Sequence, residues 1–134
     1  MKEVLDAIYA KLAGSAFSIS LGGRIYFQQA PAEATFPYCV YDLVDYLRED
    51  TFAYQIATVN VQFAIYAKAS LKGVLSPGEL LAAQAQLWAL YDFCTLTPAT
   101  FTFVYMKRTL SLLRRNTEAN TLQALTQYEI RINK

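Results

Sequence analysis

The segment from Gln55 to Lys68 constrains the fold of this chain more than any other part of its sequence. Alternate residues there form one wholly apolar set, whereas polar residues interrupt the other set. A repeat of two with one apolar face indicates a long strand in a sheet that is covered on one side. The apolar set consists of Ala57, Val59, Val61, Phe63, Ile65 and Ala67.

The next apolar segment predicts a helix that covers this sheet. Ser76 is suited to cap the helix, Pro77 fits its first position, and Glu79 completes a capping box. A broad apolar stripe follows, with Trp88 at its margin, and we interpret it as sheet-packing core rather than as a cofactor pocket. The stripe consists of Leu80, Ala83, Leu87, Leu90, Tyr91 and Cys94.

The remaining pattern completes a small α+β domain. Residues 2–13 predict an amphipathic helix that ends at Gly14, and residues 15–23 predict a loop. Further strands are predicted at residues 24–29, at 38–46 after Pro37, and at 101–113 and 122–133, which are predicted to pair. We expect a single two-layer domain in the order α-β-β-β-α-β-β, with two helices packed on a mainly antiparallel or mixed sheet of about five strands.

The composition excludes most catalytic chemistry. The chain has no histidine, which removes an imidazole base, a Ser-His or Cys-His pair and a histidine metal ligand. Cys39 and Cys94 are the only cysteines, too few for a zinc cage of three or four thiolates, and we interpret them as reduced core thiols. No cofactor and no metal are therefore expected.

The carboxylates offer no credible catalytic pair. Asp42 and Asp45 are three residues apart in a predicted strand, so they are expected on opposite faces. Glu49 and Asp50 follow that strand, where a solvated turn is the expected structure. We therefore expect that the protein is not an enzyme.

Charge argues against nucleic acid and membrane as partners. The 12 basic and 11 acidic residues are scattered and give a formal net charge of +1. Residues 51–67 form the longest uncharged stretch, but polar side chains break it, so no membrane helix is predicted. We interpret the pairs Lys107-Arg108 and Arg114-Arg115 as a solvated edge, with an acidic protein surface as the alternative partner.

Aromatic residues are more numerous than a small two-layer core readily encloses. The chain has 10 tyrosines and 8 phenylalanines, and tyrosine is favoured at protein interfaces because its ring is apolar and its tip is polar. Any one of them is explained by the half-buried face of a strand, but together they indicate oligomerisation. Six tyrosines lie in or beside the first three predicted strands: Tyr26, Tyr38, Tyr41, Tyr46, Tyr54 and Tyr66.

The order of short motifs resembles the tail-completion, or tail-terminator, proteins of long-tailed bacteriophages and prophages. The resemblance begins in "GGRIYFQQAPAEATFPYCVY", continues through the long alternating strand and the helix beginning "SPGELLAAQAQLWALYD", and ends in the closing pair of strands. It implies that residues 1–134 form one tail-terminator-like domain. It also implies a virion protein, assembled in the bacterial host cytoplasm, whose copies form a ring, usually a hexamer.

In this family the ring docks on the last ring of the tail tube, stops its polymerisation and presents the surface that joins the head connector. The resemblance thus implies three partners: other copies of the chain, the major tail-tube protein and a head-completion or connector protein. We expect interface residues in residues 28–36 and 47–54, beside neighbouring aromatic and charged side chains. The candidates are Arg24, Tyr26, Gln28, Phe36, Tyr46, Arg48, Glu49, Asp50, Tyr54, Arg114 and Arg115.

Three other functions stay open on the sequence. The first is another neck component, such as a head-closure or adaptor protein, which binds DNA-filled heads rather than tail tubes. The second is a small-ligand-binding α+β domain with a pocket lined by Trp88 and Tyr91, which a thermal-shift screen of metabolites would reveal. The third, a hydrolase that uses carboxylates, has no pair at a suitable spacing.

Overall fold

The computed structural model describes residues 2–34, 36–50, 55–68, 77–97, 101–116 and 121–133. These residues form three helices and five strands. The helices are α1 (Lys2–Leu12), α2 (Ala16–Ser20) and α3 (Pro77–Tyr91). The strands are β1 (Ile25–Phe27), β2 (Tyr38–Asp50), β3 (Gln55–Lys68), β4 (Thr102–Asn116) and β5 (Thr121–Asn133).

The strands form one mixed sheet in the order β1-β2-β3-β5-β4. β1 runs parallel to β2, and every other neighbouring pair is antiparallel. β4 and β5 pair along their whole lengths, as the sequence predicted. The predicted α+β class is confirmed, with one helix more than expected.

The alternating segment is the central strand β3, whose predicted bounds and buried face are both confirmed. All six residues of the apolar set are buried, and the residues between them are mostly half-buried. The three helices pack on this face, where their apolar side chains join those of β3 and β5 in one core. Amphipathic alternation of this length gave the correct structure because only one register buries the apolar set.

Residues 15–23 were predicted to be a loop, and that prediction was wrong for residues 16–20, which form α2. The Ser15 hydroxyl oxygen accepts a hydrogen bond from the Ser18 backbone nitrogen at 3.1 Å, the contact of a helix N-cap. Phe17 and Leu21 are buried and anchor this turn to the core. The helix was missed because five residues are too few to show an apolar stripe.

The predicted end of the second strand at residue 46 was also wrong, because β2 continues to Asp50. Leu47, Arg48, Glu49 and Asp50 pair with residues 55–58 of β3. These four residues are exposed, so no buried face imposes an alternating pattern on this end of the strand. Glu49 and Asp50 therefore lie in a strand rather than in the predicted turn.

Ser76, the predicted cap of α3, lies outside the described residues.

A bulge in β2 overturns the expectation that Asp42 and Asp45 lie on opposite faces. The register shifts between Leu43 and Asp45, so that Asp42 pairs with Gln62 and Asp45 with Asn60. Gln62 and Asn60 are two residues apart in β3 and share a face, which puts both aspartates on that face. Each aspartate has a local partner, since Asp42 Oδ1 accepts from the Leu43 backbone nitrogen at 2.7 Å and Asp45 Oδ1 from Asn60 Nδ2 at 2.6 Å.

An aromatic cluster fills the core between sheet and helices. The fully buried Phe63 ring lies 5.1 Å from the Tyr91 ring, 5.9 Å from Tyr41 and 6.1 Å from Tyr128. The Tyr91 hydroxyl donates to the backbone oxygen of Ile8 at 2.9 Å, which links α3 to α1. Both cysteines are free, with Cys39 buried in this core and Cys94 half-buried beyond the end of α3.

Candidate assembly surfaces

The face of the sheet opposite the helices, here called the open face, has an aromatic cluster at one end. The Tyr38 and Tyr66 rings stack at 5.1 Å across β2 and β3. Tyr26 meets the edge of Tyr38 at 6.1 Å, and Phe36 lies 5.1 Å from it. Burial and the neighbouring Tyr66 and Tyr26 raise the pKa of Tyr38. All four rings are half-buried, so they present a surface that is apolar in its body and polar at its tips.

An apolar row crosses the open face beside this cluster. Val40, Ala64, Leu125 and Leu112 are directly opposite one another on β2, β3, β5 and β4. Ala64 and Leu125 are buried, whereas Leu112 at the edge is exposed. No described helix covers this row, so its exposed end is available to another surface.

The other end of the open face is polar and internally paired. The Tyr105 hydroxyl donates to Glu129 Oε2 at 2.8 Å, and Lys107 Nζ lies 3.3 Å from the same oxygen. The hydrogen bond from Tyr105, together with Lys107 and Arg131, lowers the pKa of Glu129. The open face therefore changes from aromatic and apolar to charged along the strand direction, which gives its two ends different chemistry.

Arg24 and Gln28, two of the predicted interface residues, form hydrogen bonds to residues at or beside β2. Arg24 is half-buried, and its Nε donates to the backbone oxygen of Pro37 at 2.9 Å, which joins the start of β1 to the start of β2. The Gln28 backbone nitrogen donates to the Tyr41 backbone oxygen at 2.9 Å, and Gln28 has a positive φ of 67°. Only the exposed side chain of Gln28 is free to meet a partner.

The outer half of β2 holds four more predicted residues, and all four are exposed: Tyr46, Arg48, Glu49 and Asp50. Arg48 Nε donates to Asp50 Oδ1 at 3.0 Å, which raises the pKa of Arg48. Glu49 Oε2 lies 3.9 Å from Arg131. Since β1 pairs only with residues 39–41, this half of β2 has a free edge within the described part of the chain.

Arg114 and Arg115 lie at the opposite edge of the sheet, near the end of β4. Both are exposed, and neither has an ion pair or hydrogen bond to a described residue. The structure therefore does not gather the predicted residues into one site but distributes them over the aromatic cluster, the outer half of β2 and the edge of β4. Tyr54 lies outside the described residues.

Sequence reasoning missed the exposed apolar residues on both edges. Leu110, Leu112 and Leu113 are exposed on β4, as are Val44 and Leu47 on β2. The signal in the sequence was the lack of strict alternation in residues 107–115, which a strand covered on one face would show.

Trp88 and Tyr91 do not form the ligand pocket considered from the sequence. Tyr91 is fully buried and its hydroxyl bonds to Ile8. Trp88 Nε1 donates to Thr126 Oγ1 at 3.2 Å, and Arg108 covers the indole with its Cζ 3.7 Å from the ring centroid. A half-open depression of about 390 Å³ lies nearby, but Asp92, Phe93 and residues 105–108 line it instead.

Replacing Arg108 with alanine is expected to lower the free energy of unfolding by about 1 kcal/mol and to shift the Trp88 emission to longer wavelength. The substitution removes the cation-π contact and the 3.7 Å ion pair with Asp92, and it admits water to the indole. Trp88 is the only tryptophan, so fluorescence during denaturation reports this contact directly. Arg115→Ala is the control, and an unchanged spectrum in Arg108→Ala would contradict the stacking.

The described residues show no group of three or more Cys, Asp or Glu side chains placed to hold a metal ion. None of the described helices is long and apolar enough to cross a membrane. The described surfaces carry an aromatic cluster, an apolar row and two unlike sheet edges.

Comparison with known proteins identifies the fold but no family. No protein-family model matches the chain, and no curated protein matches its sequence. Among solved structures, a chain of the virion of a native gene transfer agent (GTA) particle superposes with a TM-score of 0.74 at 16% sequence identity. The match covers 96% of this chain and 93% of that chain, so the two share one fold over nearly their whole lengths.

Proposed function

We propose that this chain is a structural protein of a phage-like virion, and that within the virion it acts as a tail terminator. Its copies form a ring, a hexamer, on the head-proximal end of the tail tube, where the ring stops tube polymerisation and presents a surface to the head-completion or connector protein. The similarity to a virion chain over 96% of the sequence carries this proposal. The motif order from Gly22 to Tyr41 supports the more specific role.

The surfaces fit a protein that works by assembly rather than by catalysis. A ring needs two unlike patches on each subunit, because a heterologous contact closes into a ring when its rotation permits. The two sheet edges, which differ in sequence and in charge, supply such a pair. The open face adds a third surface whose ends differ in polarity, as contacts with two different partners require. In this role the chain needs neither a cofactor nor an active site.

The test is the mass of the purified protein by light scattering over a concentration series, followed by negative-stain imaging. We expect a species of six times the 15.1 kDa chain mass, alone or on tubes assembled from the tail-tube protein of the same genome. Tubes of an unrelated phage are the control. A protein that stays monomeric and binds neither kind of tube would contradict the proposal. A protein that binds DNA-filled heads but not tail tubes would instead be another neck component.

A further inference from the structure

Besides the three-residue edge strand β1, two strands of this sheet have a free edge within the described part of the chain. β4 is the last strand in the order β1-β2-β3-β5-β4 and pairs only with β5. At the other side, β1 covers residues 39–41 of β2 and leaves residues 42–50 paired only with β3. Proteins normally protect long free edges with proline, bulges or charged side chains, because the unpaired backbone groups of such an edge bind other strands.

Each of these two edges has a stretch without bulge or proline to protect it. The register shifts in β4 fall between Phe103 and Tyr105 and between Arg108 and Leu110, so residues 110–116 continue without irregularity. The shift in β2 falls between Leu43 and Asp45, so residues 45–50 are likewise regular. Neither regular stretch contains proline, and each exposes apolar side chains, with Leu113 60% exposed and Leu47 57% exposed.

The two edges carry opposite charge. β4 has Lys107, Arg108, Arg114 and Arg115 and no acidic residue. β2 has four carboxylates against the single guanidinium of Arg48, a net charge of −3. A chain with a formal net charge of only +1 thus separates its charges onto opposite edges of one sheet. Complementary charge of this kind selects a partner and fixes its orientation.

The strand directions specify how two copies would meet. β2 and β5 run one way, and β3 and β4 run the other way. Residues 110–116 lie level with residues 62–68 of β3, whereas residues 45–50 lie level with residues 55–60, so a contact between them needs a ring axis that is inclined to the strands. Rotation about such an inclined axis still sets β4 of one copy antiparallel to β2 of the next. The same operation repeats at every subunit and gives a heterologous contact.

We propose that residues 110–116 of β4 add as an antiparallel strand to residues 45–50 of β2 in a second copy of this chain. The contact makes the sheet continuous from subunit to subunit, with main-chain hydrogen bonds for affinity and the opposite charges for specificity. The inference rests on the proposed ring and names the surfaces that close it. It assigns Arg114, Arg115, Glu49 and Asp50 to the interface between copies rather than to the tail tube.

Charge reversal on one edge tests the contact. Arg114→Glu with Arg115→Glu is expected to raise the concentration at half-assembly at least about tenfold, because attraction to the acidic edge becomes repulsion. Both side chains are exposed and have no described partner, so the fold is expected to tolerate the change. Lys2→Glu with Lys11→Glu, which alters net charge equally on α1, is the matched control and should assemble as the wild type does.

Reversal of both edges in one chain separates this contact from a general effect of charge. Glu49→Lys with Asp50→Lys alone should weaken assembly, whereas the fourfold variant that also carries Arg114→Glu and Arg115→Glu should recover it. Recovery requires that the two edges meet, since a fold defect in either variant would persist in the combination. Failure of the fourfold variant to recover, with circular dichroism unchanged, would overturn the proposal.

Hydrogen exchange tests the strand pairing itself. In assembled wild-type protein, amides in residues 45–50 and 110–116 should exchange at least about tenfold more slowly than in the unassembled Arg114→Glu, Arg115→Glu variant. The central strand β3 is paired on both sides and is the internal control. Rings whose edge amides exchange as in free subunits would overturn this inference and leave the ring proposal intact. Rings with protected edge amides that do not bind tail tubes would support the strand pairing and contradict the terminator role. A protein that does not self-associate under any condition would overturn both the strand pairing and the proposed ring.

Discussion

Replacing Phe63 with alanine is expected to lower the free energy of unfolding by about 3–5 kcal/mol. Phe63 lies in the central strand and is fully buried. Its ring touches those of Tyr41, Tyr91 and Tyr128, which come from β2, α3 and β5. The substitution therefore removes buried apolar surface and leaves a cavity at the point where sheet and helices meet. The surrounding rings belong to different elements, so they have little freedom to close that cavity.

The measurement is denaturant unfolding at one fixed chain concentration, because self-association stabilises the folded state by mass action. Phe93→Ala is the matched control, since Phe93 is 100% exposed and its loss should change stability by less than about 0.5 kcal/mol. The slope of free energy against denaturant should be unchanged in both variants. A Phe63→Ala protein within about 1 kcal/mol of the wild type would mean that the aromatic cluster does not hold the two layers together.

The fold was predictable where a buried face imposes a pattern on the sequence. β3 and α3 each carry apolar residues at the spacing of their own secondary structure, and both were predicted close to their observed bounds. The end of β2 and the helix α2 were missed for opposite reasons, the first because it has no buried face and the second because it is too short. The bulge before Asp45 shows in no local residue pattern, since it depends on pairing with β3.

The candidate surfaces were predictable residue by residue but not in their arrangement. Tyr26 and Phe36 were expected at an interface, and with Tyr38 and Tyr66 they form one aromatic cluster. The separation of charge onto two edges depends on strand order, because β5 inserts between β3 and β4 and makes β4 an edge strand. β4 and β5 can pair as a hairpin whether β4 or β5 lies beside β3. The sequence pattern therefore does not decide which of the two strands forms the edge of the sheet.

The second large effect is a loss of stability at alkaline pH, expected to begin near pH 8.5 and to become steep above pH 10. Burial raises the pKa of the Cys39 thiol well above its ordinary value. Burial also raises the pKa of Tyr91 and of Tyr128, and the hydrogen bond that Tyr128 donates to Asp92 at 2.7 Å raises the second further. All three groups are fully buried and stay neutral in the folded protein.

Stability falls as pH rises because the unfolded chain loses these three protons at a lower pH than the folded chain does. In the unfolded chain the thiol ionises near pH 8.5 and the phenols near pH 10, whereas in the folded chain all three ionise at higher pH. The stability is thus complete below the unfolded pKa values and declines as pH rises above them. Each group then removes about 1.4 kcal/mol per pH unit, so near pH 11 the combined loss is on the order of 6 kcal/mol. A loss of that size is comparable to the whole stability of an ordinary domain.

The measurement is the free energy of unfolding by denaturant at intervals from pH 7 to 11, at constant salt and chain concentration. Cys39→Ala should remove most of the decline between pH 8.5 and 10 and leave the steeper tyrosine-dependent decline above it. Burial also raises the pKa of the Cys94 thiol, but Cys94 is only half-buried, so it should account for the smaller remaining part of the decline in the lower window. Tyr9→Phe, at a tyrosine that is 62% exposed, is the control and should follow the wild type throughout. A wild-type stability that stayed constant to pH 11 would mean that water reaches the core phenols, and the same slope in Cys39→Ala would assign the lower window to another group.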